Sequence, residues 1–215
     1  MSITPQSASV RAREICNAAP IVPVLVVEDV AHSKPLAEAL VAGGLRALEV
    51  TLRTPAALDV IRAMAEVPGG IVGAGTLLTP ADVKAAKEAG ATFGVSPGAT
   101  SILLEASEAE GLPLLPGASS ASEAMALLER GYDMLKFFPA EAAGGAKFLG
   151  SLASPLPQIS FCPTGGVNLQ NATDYLSLPN VVCAGGSWVA PSMLVKEGAW
   201  DQIEALAKEA SELPR

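Results

Sequence analysis

Eight short apolar runs, each followed by a helix-like segment, predict an α/β protein with the architecture of a (β/α)8 TIM barrel. The runs begin about 21 to 26 residues apart, which is a natural length for one strand–helix unit. Many of the runs are apolar at nearly every position, as expected for parallel strands that are buried on both faces. Because no linker-like segment interrupts the series, residues 1–215 are expected to form one barrel domain.

The predicted strands are spread evenly along the chain and begin near Ile21, Ala47, Ile71, Thr92, Pro113, Met134, Ile159 and Val181. An additional helix over residues 7–19 is expected to precede the first strand. A doubly wound open sheet is the alternative architecture. The lack of a Gly-x-Gly-x-x-Gly motif after the first strand counts against it, and Gly73-Ala74-Gly75 lacks the third glycine.

Helix start and stop signals agree with this alternation. Thr54-Pro55 and Thr79-Pro80 are each typical of an N-cap residue followed by proline at the first helical position. Ser120-Ala121-Ser122-Glu123 is typical of a capping box. Gly90 and Gly131 fall where helices are expected to end.

Composition and charge narrow the classes of function. Half of the residues are hydrophobic and 17% are charged, so there is enough apolar material for a large core. The net charge is −8 and no cluster of lysine or arginine stands out, so no nucleic-acid partner is expected. No segment approaches the length of a membrane span, and the chain is expected to be cytoplasmic, with no membrane partner.

Metal ligands are scarce in the sequence. His32 is the only histidine, which argues against a histidine-rich zinc or iron site and against zinc-dependent aldol chemistry. Cys16, Cys162 and Cys183 have neither disulfide nor metal spacing. Two of them lie in strand-like apolar segments, where a small buried thiol is the usual role. No metal site is therefore expected, and no cofactor is expected either.

The unusual residues of the chain fall near the ends of the predicted strands or in the loops that follow them. In a barrel of this kind, the carboxyl ends of the strands and the loops that follow them form the active face. The candidate residues on this face are Glu49, Arg53, Thr76, Pro97, Lys136, Phe138, Thr164, Gly165, Gly166, Gly186 and Ser187.

Lys136 stands in an apolar run between Leu135 and Phe137. Burying an ammonium group there costs several kcal/mol unless the group loses its proton or finds a partner. A neutral lysine is a nucleophile that forms a Schiff base with a carbonyl substrate. The alternative is that the aliphatic stem packs while the charged end reaches solvent.

Glu49 is the second charged residue within an apolar strand. One carboxyl group near an amine could transfer the several protons that an aldol cleavage through a Schiff base requires. The alternative is a structural ion pair with Lys136 or Arg53.

Two donors follow the second and third strands. Arg53 is suited to bidentate binding of a substrate carboxylate, and Thr76 could assist it. Pro97 and Phe138 could supply an apolar wall that excludes water from the amine. The alternatives are that Arg53 is an exposed loop residue without a ligand and that the Thr76 hydroxyl bonds only within its own turn.

The last two loops contain paired glycines. In barrels, the loops after strands seven and eight often hold a phosphate, because glycine lets backbone N–H groups approach the oxygen atoms. Gly165, Gly166, Gly186 and Ser187 fit this role. The alternatives are tight-turn glycines and a serine that caps a helix.

Five segments together resemble one known family, and they extend over essentially the whole predicted barrel. They are AGGLRALEVTLR at 42–53, VGAGT at 72–76, KFFPAE at 136–141, FCPTGG at 161–166 and GGSW at 185–188. The chain resembles the class I aldolases of the KDPG/KHG family. The resemblance implies cleavage of 2-keto-3-deoxy-6-phosphogluconate to pyruvate and glyceraldehyde 3-phosphate, in the Entner–Doudoroff pathway, by a homotrimer of barrels without metal.

The same resemblance implies a role for each candidate residue. Lys136 corresponds to the Schiff-base lysine and Glu49 to the general acid and base. The implied ligands of the pyruvate carboxylate are Arg53 and Thr76. The implied pocket lining is Pro97, Phe138 and Thr164, and the implied phosphate cradle is Gly165, Gly166, Gly186 and Ser187.

Other functions are compatible with the sequence. Some members of the family prefer 4-hydroxy-2-oxoglutarate or the galactonate epimer of the substrate. From another class, the barrel could be a phosphosugar isomerase or a phosphate-binding protein without covalent chemistry. A non-enzymatic interaction protein is the last alternative.

Overall fold

The computed structural model describes residues 2–215 as a ring of parallel strands surrounded by helices. The strands are β1 Ile21–Leu25, β2 Ala47–Thr51, β3 Ile71–Gly75, β4 Phe93–Val95, β5 Leu114–Leu115, β6 Gly117–Ala118, β7 Met134–Phe137, β8 Ser160–Pro163 and β9 Ala184–Gly186. The helices are α1 Pro5–Cys16, α2 Ser33–Ala42, α3 Ala57–Ala65, α4 Pro80–Glu88, α5 Ser101–Glu110, α6 Ala121–Arg130, α7 Gly145–Ser151, α8 Ala172–Leu176, α9 Ser192–Glu197 and α10 Trp200–Ser211, with a 3-10 turn at Val30–His32.

The strands form two hydrogen-bonded sheets that together make the barrel. The larger sheet has the order β5-β4-β3-β2-β1-β9, and the smaller has the order β6-β7-β8. Bridges from Phe161 to Val181 and from Thr164 to Gly185 join β8 to the β9 side. On the other side, β5 and β6 follow one another in the chain with only Pro116 between them. The ring therefore follows the order of the chain, which confirms the predicted (β/α)8 barrel.

Pro116 explains why one barrel strand appears as two. Proline has no N–H group, so it cannot donate to a neighbouring strand. Its carbonyl oxygen still accepts a hydrogen bond from the Lys136 N–H at 2.9 Å. The segment therefore continues across the barrel wall, with its hydrogen-bond ladder interrupted at one residue.

The predicted strand positions agree closely with the structure. Four strands begin at the predicted residue, and β4, β5 and β8 begin one residue later. The prediction for the last strand was early, since β9 begins at Ala184 and Val181 forms only an isolated bridge.

The helix signals were correct at four places and wrong at one. Gly90 comes two residues after the end of α4 and has a φ of 100°. Capping boxes are present at Thr79, which opens α4, and at Ser120, which opens α6. Gly131 ends α6 in the left-handed conformation. Thr54 does not cap α3, because its hydroxyl donates instead to the Val27 carbonyl oxygen at 2.7 Å and ties two loops together.

The additional N-terminal helix exists, but α1 begins and ends earlier than the predicted 7–19. Thr4 caps it by accepting a hydrogen bond from the Ser7 N–H, and Pro5 occupies the first turn. Side chains of α1 pack into the amino-terminal end of the barrel. This inner cluster comprises Ala12, Ile15, Cys16, Val22, Ala47, Phe93, Val95, Leu115, Met134, Cys162 and Cys183.

Within residues 2–215, no helix combines the length and the apolar character that are needed to cross a lipid bilayer.

Candidate active site

Glu49 and Lys136 meet inside the barrel. Glu49 belongs to β2 in the larger sheet, and Lys136 belongs to β7 in the smaller sheet. The Lys136 Nζ lies 3.3 Å from the Glu49 Oε1, and each residue is only 3% exposed. The structure thus brings the two predicted catalytic residues together as a buried ion pair. Removing one partner of such a pair leaves an uncompensated charge and typically costs about 3 to 5 kcal/mol.

Gly75 makes the space that Glu49 occupies. A Cβ atom on Gly75 would lie 2.3 Å from Glu49 Oε1 and 2.7 Å from its Cγ. Glu49 and Gly75 lie on the neighbouring strands β2 and β3. In the register of these strands Glu49 pairs with Gly73, two residues before Gly75. Sequence analysis did not identify this role for Gly75. The available signal was a glycine at the carboxyl end of a strand.

Phe138 forms one wall beside the amine. Its ring centroid lies 5.2 Å from the Lys136 Nζ, a distance at which a ring attracts a cation. Gly165 approaches the same ring, because a Cβ atom there would lie 3.3 Å from two of its carbon atoms. Of the two residues predicted to form an apolar wall, Phe138 therefore lies beside the lysine amine.

Arg53 and Thr76 also lie together. The Arg53 Nε donates a hydrogen bond to the Thr76 Oγ1 at 3.1 Å, and Arg53 is exposed. Thr76 directly follows Gly75, so the pair lies on the same rim as Glu49. The Thr76 hydroxyl accepts a hydrogen bond from Arg53 and can still donate its own hydrogen to another acceptor.

Thr76 has a strained backbone. Its φ is 62°, and it is the one non-glycine residue among residues 2–215 with a positive φ. A β-branched residue in this region typically costs about 1 to 3 kcal/mol. Such strain is commonly found at binding and catalytic sites, where other contacts maintain it.

Thr164 and Pro97 occupy the rim farther around the ring. Thr164 is 6% exposed, and its Oγ1 lies 3.5 Å from the Cys162 carbonyl oxygen. Gly185 leaves space for it, since a Cβ atom there would lie 2.3 Å from the Thr164 Oγ1. Pro97 is partly exposed, and its carbonyl oxygen lies 2.3 Å from the position of a Cβ atom on Gly117.

The loop after β8 needs its two glycines. Gly165 has a φ of 99° and Gly166 has a φ of 82°, values in the left-handed region that favours glycine. The loop is held by the N–H groups of Ala140 and Glu141, which donate to the carbonyl oxygens of Thr164 and Gly165. Within residues 2–215, the N–H groups of Gly165 and Gly166 have no hydrogen-bond acceptor, so both are available to a ligand.

Gly186 and Ser187 end the last strand. The Trp188 ring fills the space where Gly186 would carry a Cβ atom. Ser187 is exposed, and among the residues that the structure describes its N–H group also lacks an acceptor. It does not cap a helix, because α9 begins five residues later at Ser192.

The sequence did not indicate that Glu141 and Tyr175 contact each other beside the glycine loop. The Tyr175 hydroxyl donates a short hydrogen bond to the Glu141 carboxylate, and the stem of Glu141 packs against Gly166. Burial raises the pKa of Tyr175 above its usual range, and the hydrogen bond to Glu141 raises it further. The pair thus packs against the loop that contains Gly165 and Gly166. Nothing in the sequence separation of 34 residues indicated it.

The three cysteines also meet, although their spacing gave no sign of it. The Sγ atoms of Cys16, Cys162 and Cys183 all lie within 4.8 Å of one another, and all three residues are buried. Hydrogen bonds from Cys16 and Cys183 hold the pKa of Cys162 below its usual range, with a smaller contribution from the charge of Lys136. The expectation of small buried thiols was correct, but the thiols form a cluster.

The fold and the site together define a class of protein. A lysine that is buried beside a carboxylate, at the carboxyl ends of the strands of a (β/α)8 barrel, is the arrangement of an aldolase that works through a Schiff base. The model of the family "KDPG and KHG aldolase" matches residues 12–206. The chain belongs to this family.

Named relatives agree with this membership. The chain is 54% identical over 202 residues to 2-dehydro-3-deoxy-phosphogluconate aldolase of Pseudoalteromonas atlantica, covering 94% of each chain. The crystal structure of the Zymomonas mobilis 2-keto-3-deoxy-6-phosphogluconate aldolase with 3-phosphoglycerate is 50% identical, with a TM-score of 0.89 and coverage of 94% and 95%. The KDPG aldolase of Legionella pneumophila, with pyruvate captured as a covalent carbinolamine, is 44% identical, with a TM-score of 0.90 and coverage of 93% and 98%.

Gly75→Ala tests the space that holds Glu49. The new Cβ atom would overlap the carboxylate of Glu49, whose flexible end would have to move. A displacement of about 1 Å in a catalytic group costs about 100-fold in rate, so we expect kcat to fall by that order while the fold remains. The measurement is pyruvate formation with circular dichroism on the same samples.

Gly70→Ala is the matched control for this substitution. Gly70 lies just before the other end of β3, and the nearest atom to its added Cβ would be 3.4 Å away. This variant should keep the activity of the unchanged chain. Equal kcat values for the two variants would contradict the role assigned to Gly75.

Proposed function

We propose that the chain cleaves 2-dehydro-3-deoxy-6-phosphogluconate to pyruvate and D-glyceraldehyde 3-phosphate through a Schiff base on Lys136. The observation that carries this proposal is the buried contact of 3.3 Å between the Lys136 Nζ and the Glu49 Oε1. Membership of the KDPG and KHG aldolase family and the carbinolamine of the Legionella relative support it. One barrel supplies all the residues that the reaction needs.

The first half of the reaction builds the electron sink. Lys136 first passes one proton to the Glu49 carboxylate, and the neutral amine then attacks the C2 ketone and forms a carbinolamine. Glu49 protonates the departing hydroxyl, water leaves, and a cationic iminium remains. General acid–base assistance of this kind contributes about 100-fold to 10,000-fold in rate.

The second half breaks the carbon–carbon bond. The Glu49 carboxylate takes the proton of the C4 hydroxyl, directly or through water, as the C3–C4 bond breaks. The electron pair of that bond moves toward the iminium and forms an enamine, and glyceraldehyde 3-phosphate leaves. Protonation of the enamine at C3 and hydrolysis then release pyruvate and restore Lys136. These proposed steps call for no metal and no cofactor.

The two ends of the substrate are assigned to the two sides of the rim. We place the carboxylate at Arg53 and Thr76, whose hydrogen bond already aligns them. Pro97, Phe138 and Thr164 line the space between the carboxylate and the phosphate. The cradle of the phosphate is formed by Gly165, Gly166, Gly186 and Ser187, supported by the three N–H groups that have no acceptor among residues 2–215.

A second candidate substrate is 4-hydroxy-2-oxoglutarate, since the family description includes KHG aldolases. That substrate has no phosphate. The N–H groups at the glycine loops favour the phosphorylated substrate. The C5 carboxylate of 4-hydroxy-2-oxoglutarate is bonded directly to C4, so it reaches less far than a phosphate on C6 and would leave N–H groups unpaired. The galactonate epimer differs at the C4 hydroxyl, for which we assign Glu49 as the partner.

Reduction with borohydride in the presence of pyruvate tests the Schiff base. We expect one pyruvate adduct per chain, on the peptide that contains Lys136, measured by intact mass and peptide mapping. Lys136→Met should form no adduct. Lys147→Met is the control, since Lys147 is exposed on α7 and should not affect the reaction.

Peptide mapping of the unchanged chain tests whether Lys136 carries the adduct even if Lys136→Met fails to fold. Absence of an adduct on a folded chain would contradict the proposal. An adduct on another lysine would contradict the assignment of Lys136.

Thr76→Ala tests carboxylate binding. Alanine experiences the same strained backbone but lacks the hydroxyl, so stability should change little. Loss of one hydrogen bond to a charged group is worth about 1.5 to 3 kcal/mol, which predicts a KM about 10-fold or more higher. Thr76→Ser keeps the hydroxyl and should keep the KM. Steady-state kinetics of both variants would contradict the assignment if their KM values were the same.

We also propose that the chain works as a homotrimer in the cytoplasm. A groove of about 440 Å³ lies between α5 and α6, and both helices expose large apolar side chains, Ile102 and Met125. The number of three chains is what the resemblance to the family implies, so light scattering should give three times the chain mass. Ile102→Glu should lower that mass, whereas Val10→Glu, exposed on α1, should not. A single-chain mass for the unchanged protein would contradict the trimer.

A further inference from the structure

Three thiols from three separate elements converge in the barrel. Cys16 is the last residue of α1, Cys162 lies in β8, and Cys183 immediately precedes β9. Their side chains are free thiols, and none of the three residues is more than 3% exposed. The reaction proposed above uses none of them. The cluster therefore needs an explanation of its own.

The distances suit a metal ion. Bonds of about 2.3 Å from sulfur to a tetrahedral ion place the sulfur atoms about 3.8 Å apart. The three Sγ atoms already lie within 4.8 Å of one another, so a contraction of about 1 Å at most would complete the geometry. Thiolates are soft ligands that select thiophilic ions over magnesium or calcium.

A small cavity adjoins the cluster. It has a volume of about 10 Å³, close to the space that one water-sized sphere needs. Cys16, Cys162 and Glu49 all line it, and the rest of its lining is apolar, including Ile15 and Phe93. An ion held by the thiols would therefore lie on the side of Glu49 that faces away from the substrate loops.

We propose that Cys16, Cys162 and Cys183 bind one soft divalent metal ion, and that the bound ion inhibits the aldolase. Three sulfur–metal bonds form as three S–H protons are released to solvent, with no change of oxidation state. The ion competes with Lys136 for the carboxylate of Glu49, which can supply the fourth ligand. The inhibitory consequence rests on the proposed function, whereas the binding does not.

Cadmium alone is the probe. Addition of Cd²⁺ to the chain should produce the ultraviolet charge-transfer absorption of cadmium thiolates, saturating at one ion per chain. Proton release should approach three per ion bound, since each thiol must be deprotonated. The ¹¹³Cd chemical shift should fall in the range of three-thiolate coordination. Absence of the absorption, or a shift that reports fewer thiolates, would overturn the proposal.

Cys16→Ser removes one ligand at a helix end with little change of size. We expect cadmium affinity to fall by more than about 100-fold, because even groups that only orient a ligand are worth 10-fold to 100-fold. Ile15→Val is the matched control, since it alters the same cavity and keeps all three thiols. Cadmium binding to Cys16→Ser that equals that of the unchanged chain would overturn the site. Cys183→Ser provides the same test if Cys16→Ser does not fold.

Activity is the second and separate readout. Saturating cadmium should lower the rate of pyruvate formation at least about 100-fold, the usual contribution of a general acid–base group. A chelator should restore the rate. Ile15→Val should be inhibited in the same way, whereas Cys16→Ser should keep both its basal activity and its activity in cadmium.

The outcomes separate the two proposals. Inhibition of Cys16→Ser equal to that of the unchanged chain would overturn the link between the thiols and Glu49. A chain that binds cadmium but never forms pyruvate would overturn the proposed function and leave the metal site established.

Discussion

The buried contact between Lys136 and Glu49 is the interaction on which the rest of the molecule depends. Each charge alone would be costly in this environment, and each is acceptable because the other is 3.3 Å away. The contact requires a closed ring, because the two residues belong to different sheets. It also requires Gly75, whose missing side chain leaves the space for the carboxylate. The contact between Lys136 and Glu49 thus requires barrel closure, the strand register and the position of Gly75.

Much of this could be predicted from the sequence, for reasons that are local. Apolar runs at a regular interval defined the strands, and charged residues within such runs stood out as exceptions. Lys136 and Glu49 were identified in this way, and the shared carboxyl-terminal rim of parallel strands then predicted that both lie on one active face. Thr79 and Ser120 were recognised as caps because their partners lie within three residues along the chain. The roles of the individual rim residues in binding stay predictions.

The features that escaped prediction depend on distant parts of the chain. The hydroxyl of Thr54 finds a carbonyl oxygen 27 residues away, and this contact replaced the expected helix cap. Cys16 lies 146 residues before Cys162, so no local spacing could indicate that their sulfur atoms meet. Tyr175 and Glu141 are likewise joined only by the fold. Such contacts follow from the path of the backbone, which periodicity describes only coarsely.

The position of the ion pair across the two sheets has a consequence for the order in which the molecule is made. Glu49 leaves the ribosome well before Lys136, and the larger sheet lacks its last strand until β9 has been synthesised. An incomplete chain that ends before Lys136 therefore carries the Glu49 carboxylate without its partner. The other residues of β2 are all buried in the complete barrel. Burying that carboxylate before β7 has been made would leave it without its partner, which is costly. Closure of the barrel around Glu49 is therefore most favourable once Lys136 is present, so the closed ring and the buried pair form together.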